Sequence, residues 1–65
     1  MSETLETYQR IFDRVTVILG PYKASIWMNE PNPMLGEVRP TVMIYNGNAH
    51  RLEKFIAEAE DANAM

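Results

Sequence analysis

Between Ser2 and Leu19 apolar side chains return every three or four positions, at Leu5, Tyr8, Phe12, Val15 and Leu19, which is the spacing of one helical face. The pattern predicts a first helix over 2–19. Ser2 or Thr4 is placed to cap it, and Glu3 and Glu6 fall in its first turn, where the helix dipole favours negative charge. Ile11 and Ile18 lie beside the stripe and widen it. A stripe that wide predicts burial on more than one side, against the rest of the chain or against a second copy, with Tyr8, Ile11, Phe12 and Ile18 as candidate dimer contacts. Gly20-Pro21 then ends the helix, because Gly suits the position after a last turn and Pro cannot continue it.

A short second helix is expected over 21–28 with Pro21 in its first turn. So short a helix is marginal by itself, and its stability has to come from Trp27, whose indole belongs in the core of so small a domain. The indole N–H then needs an acceptor, for which the carbonyls near Pro31 or Pro33 are candidates. From Asn29 to Arg39 three prolines bracket the chain, and the residue before each, Glu30, Asn32 and Arg39, is pushed out of the helical region. The segment therefore reads as a stiff lid over Trp27 and Met28. Leu35 acts as an apolar plug within it and Gly36 as a residue able to take positive φ.

A third helix starts at Pro40 and carries Val42, Met43, Ile44 and Tyr45 up to Asn46-Gly47-Asn48. The same residues have the composition of a strand before a tight Asn-Gly turn. The segment after Asn48 decides against a hairpin: its helix propensity is high, Leu52, Phe55, Ile56 and Ala59 share one face of it, and Asn48 is a ready N-cap. The fourth helix is expected to end at Glu60 or Asp61. The chain thus reads as all-α, a compact four-helix unit with two longer outer helices and two short central ones joined by a Pro-rich loop. Residues 1–65 form one domain, with an N-terminal helix over 1–20, a body over 21–61 and a frayed tail over 62–65.

A chain of 65 residues buries only about 60% of its unfolded surface, so its core is marginal, and with no Cys it has no disulfide to compensate. Self-association is the remaining support. The hydrophobic fraction of 46% argues against disorder, and five methionines suit both gap-filling in a core and an adaptable binding surface. A net charge of −3 with no dense Lys/Arg cluster argues against nucleic-acid binding by this chain alone. The longest apolar run, Val15 to Leu19, falls far short of the roughly 20 residues that span a bilayer, and the acidic start M-S-E-T-L-E lacks the order of a signal peptide. A cytoplasmic protein is the expectation.

No constellation supports catalysis. His50 stands alone, without the Ser, Cys or Asp partners of a nucleophilic site. Glu53, Glu58, Glu60 and Asp61 spread around the fourth helix, where Lys54 and Glu58 are four apart, and read as a solvated face. No metal and no cofactor are implied. Met34, between two proline-constrained turns, suits partner recognition, and Arg39, Arg51 and Lys54 near two helix starts are further candidate contacts.

The order W-M-N-E-P-N-P-M-L-G-E-V-R-P-T-V-M-I, with Ala24 before it and Gly47 after it, resembles the toxin-binding domain of the Xre/MbcA/ParS class of bacterial antitoxins. The residues that carry the resemblance are Ala24, Trp27, Met28, Pro31, Asn32, Leu35, Gly36, Pro40, Met43, Ile44 and Gly47, and it covers roughly the last two-thirds of the chain. It implies an antitoxin that neutralises a RES-domain toxin, one that degrades NAD or transfers its ADP-ribose. Inhibition is expected to be steric, with the end of the fourth helix and its tail closing the entrance to the NAD pocket and the loop from Asn32 to Arg39 supporting the contact. Met34, Arg39, Arg51, Lys54, Glu58 and Asn63 are the candidate partner-binding residues. The family usually carries a helix-turn-helix module ahead of this domain, whereas about twenty residues precede the motif here, enough for one helix. Arg51 beside Leu52, where the family has an apolar residue, and Asn63 in place of a late Gly are two further departures. The alternative expectation is a small homodimeric structural or adaptor domain with the same fold and no toxin partner.

Overall fold

The first helix, α1, spans Glu3–Leu19, and its buried side chains are Ile11 and Val15. The computed structural model describes residues 3–63, so the expected cap at Ser2 lies outside the described residues. Tyr8 and Phe12 pack on the core with their rings stacked at 6.0 Å, but Leu5 is 53% exposed. The buried face is thus centred on Ile11 and not on the stripe through Leu5, Phe12 and Leu19. Ile11 and Val15 are the α1 side chains that meet the buried residues of α2, α3 and α4, and Arg10 and Arg14 reach across to α4 beside them. Ile11, completely enclosed, is removed from the candidate dimer contacts.

Gly20 alone joins α1 to α2 (Pro21–Asn29). Its N–H donates to the Thr16 carbonyl and its own carbonyl accepts from Ala24, so one residue closes one helix and opens the next. The backbone there, φ 85° and ψ 159°, belongs to a region essentially reserved for Gly. Ala24 and Met28 from α2 enter the core, and Met28 has no exposed surface. Trp27 does not follow it. The indole lies half-buried against the core's edge and stacks on Phe55 at 6.3 Å, and among the described residues its N–H has no protein partner, so neither Pro31 nor Pro33 supplies one. An unbranched Met fits the centre of a core this small, and the wider ring roofs it from outside.

The lid is built as its prolines require: Glu30, Asn32 and Arg39 are all extended. Asn32 organises it. Its side chain accepts from the Met34 N–H at 2.9 Å, its carbonyl accepts from Leu35 and Glu37, and its N–H donates to Val38. These bonds hold a single 3-10 turn at Pro33–Leu35, after which Gly36 and Glu37 both take positive φ. Arg39 closes the loop by donating from Nε to the Asn29 carbonyl at 3.0 Å.

Helix α3 (Pro40–Tyr45) buries Pro40, Met43 and Ile44. It ends in a Schellman motif: Asn48 N–H reaches the Met43 carbonyl and Gly47 N–H that of Ile44, which needs the left-handed φ of 81° at Gly47. Helix α4 (Ala49–Asn63) then places Leu52 and Ile56 in the core. The Asn48 carbonyl accepts from Arg51 and Leu52, but its side chain makes no cap hydrogen bond. Helix α4 continues past the expected end at Glu60 or Asp61, so residues 62 and 63 are helical; 64 and 65, also expected to fray, lie outside the described residues. The fold is all-α, and its Cα radius of gyration of 11.2 Å is close to the value of about 10.7 Å for a compact domain of this length.

Among the described residues three ion pairs join α1 to α4. Glu53 receives Arg10 at 3.0 Å and Arg14 at 3.2 Å, and Glu60 receives Arg14 at 2.7 Å. The carboxylates of α4 are therefore not simply a solvated face: Glu53 and Glu60, seven apart, point at α1. Hydrogen bonding to Arg14 holds the Glu60 carboxyl below the usual glutamate range, and the same bond raises Arg14. Arg10 is raised through its bond to Glu53.

Candidate partner-binding surface

Consecutive residues of the 3-10 turn point in opposite directions. Leu35 packs on the core, while Met34, held by its N–H on Asn32, stands 77% exposed. Met34 forms one bank of a groove of about 240 Å³ whose other bank is α4, contributing Arg51, Lys54 and Glu58. Leu35, Met43 and Phe55 make its floor. The fold thus brings together four of the six candidate partner-binding residues. Arg39 and Asn63 do not line the groove; Arg39 is engaged in closing the loop, and Asn63 lies more than one turn beyond Glu58 at the end of α4.

Phe55 also faces a second cleft, of about 110 Å³ and almost wholly apolar, bounded by Trp27, Ile56 and Ala59 with the end of α1. Trp27 borders two further hollows, one against Pro31–Pro33 and one against Leu19, Lys23 and Ile26. The stacked Trp27–Phe55 pair is therefore the ridge around which the concave surfaces of this side are arranged. Comparison of the chain with protein-family models, with curated proteins and with solved structures finds no match.

The residues that carry the antitoxin resemblance divide by role. Ala24, Met28 and Pro40 are buried, Gly36 and Gly47 take positive φ, Leu35 seats the turn, and Pro31 is exposed in the lid. Met43 was legible in the sequence as a candidate for lining a partner groove, whereas Phe55 was legible only as one face of the fourth helix, and nothing in its spacing marks it as groove floor. Of the dimer candidates, Tyr8 and Phe12 are half-buried on the core and Ile18 lines the second cleft. Among the described residues no group of three or more His, Asp or Glu is placed to hold a metal ion, and no helix is long and apolar enough to cross a membrane. His50 is exposed in the first turn of α4.

Proposed function

We propose that this chain is a cytoplasmic protein-binding module of antitoxin type, which neutralises a RES-type toxin by occupying the entrance to its NAD pocket. The observation that carries the reading is the groove between Met34 and α4: a preformed concave surface with an apolar floor, an exposed Met on one bank and charged side chains on the other. Such a surface suits protein recognition, in which a few buried apolar contacts supply affinity and a charged rim supplies selectivity. Inhibition by occupying space asks for no catalytic group, metal or cofactor in the inhibitor. The test is co-expression with a RES-domain protein: the chain co-purifies with it and restores growth to cells that express it. A chain that neither binds nor protects would sink the proposal.

Exposed Leu5 and Val17, the latter 86% exposed, favour a second reading, a homodimeric adaptor joined through α1. Sedimentation over a range of concentrations, repeated with Val17→Asp, separates the two. Phe12→Asp is unsuited to this, because Phe12 packs on the core.

A further inference from the structure

The groove has a direction. Arg51, Lys54 and Glu58 succeed one another along one wall of α4, so at 1.5 Å per residue the carboxylate follows Lys54 by about 6 Å and Arg51 by about 10 Å. Among the described residues neither Arg51 nor Lys54 is within ion-pair distance of a carboxylate, and Lys54 does not pair with Glu58 although the two are four apart. Arg10, by contrast, is held by Glu53, and Arg14 by Glu53 and Glu60. In a chain of net charge −3, this groove carries two cations without an ion-pair partner against one carboxylate.

Under the partner-binding reading, on which this inference rests, we infer that the groove takes a segment of a partner protein with an apolar anchor, one or two carboxylates on the Arg51 and Lys54 side, and a basic residue facing Glu58. The anchor sits on Leu35, Met43 and Phe55, with Met34 folding over it, since an unbranched side chain adapts to the shape it covers. A span of about 10 Å corresponds to seven residues of helix or three of extended chain, so the charge order, and not the backbone type, is the signature. The charges lie at the rim and so set register and partner choice more than affinity.

The test is selection of random peptides displayed on phage against the immobilised chain and against the Arg51→Glu/Lys54→Glu variant. Both residues are exposed, and circular dichroism checks that the variant keeps its fold. Peptides enriched on the parent should share an apolar residue flanked on one side by Asp or Glu. A selected peptide should bind the double variant about tenfold more weakly, and selection on that variant should enrich Lys or Arg at the same flank. Enrichment of no common pattern, or a selected peptide held equally by both proteins, would overturn the inference. Full protection from the toxin by the double variant would also overturn it, while leaving the antitoxin reading in place. Charge-ordered peptides without toxin binding would do the reverse.

Discussion

Replacing Ile11 by Ala tests the position of the core on α1. Ile11 is fully enclosed, and Val17, on the same helix, is 86% exposed. Truncating a fully buried Ile typically costs about 2–5 kcal/mol, through lost burial and the cavity left behind. A domain of this length holds about 3–10 kcal/mol in all, so Ile11→Ala removes a large share of it. At roughly 4–8 °C per kcal/mol for a domain of this size, a loss of about 3 kcal/mol lowers Tm by about 12–24 °C. Val17→Ala, the control, should change stability by no more than about 0.5 kcal/mol. The assay is thermal unfolding followed by far-ultraviolet circular dichroism at two protein concentrations about a hundredfold apart, because an interface residue would make Tm depend on concentration. A Tm loss of under about 4 °C for Ile11→Ala, or one that disappears at the higher concentration, would refute the placement of Ile11 inside a single chain.

Three further substitutions test particular contacts. Thr16→Val should stabilise the fold by about 1 kcal/mol in urea unfolding, because the Thr16 hydroxyl is buried without a hydrogen-bond partner and Val keeps its shape. Gly20→Ala should cost about 1–3 kcal/mol through backbone strain alone, since the added carbon meets nothing within 4 Å; an unchanged midpoint would contradict the single-residue junction. Glu60 titrates below its unfolded value, so its contribution is present above the ordinary glutamate range, about pH 4.3, and is lost as pH falls through the lower folded value. Glu60→Gln should therefore flatten the acid limb of a stability–pH curve and leave its shape near neutrality unchanged.

Much of the fold was legible because its boundaries rest on residues with few conformational choices. Gly20-Pro21, the lid prolines Pro31 and Pro33, Pro40 and Asn46-Gly47 place every helix junction within a residue or two, and all of them act locally. The orientation of α1 was not legible, since its width of apolar residues allows several rotations and the choice depends on core partners and on Arg10 and Arg14 contacts with Glu53 and Glu60 some forty residues away. The same holds for Trp27. Size argued for the centre of the core, but Trp27 and Met28 are neighbours on a helix and cannot face the same way, and Met28 fits the smaller space. At the candidate site, Met34 was recognisable from its position between constrained turns. That it would face Arg51 and Lys54 across Met43 depends on how α3 and α4 cross, which no local pattern records.

The most direct measurement of the central claim is the rate of NAD loss catalysed by a RES-domain protein from the same source as this chain is added in increasing amounts. The account predicts a linear fall to zero activity at a fixed molar ratio, as expected of a tight inhibitor that blocks the pocket. NAD loss that continues unchanged at every ratio would contradict it.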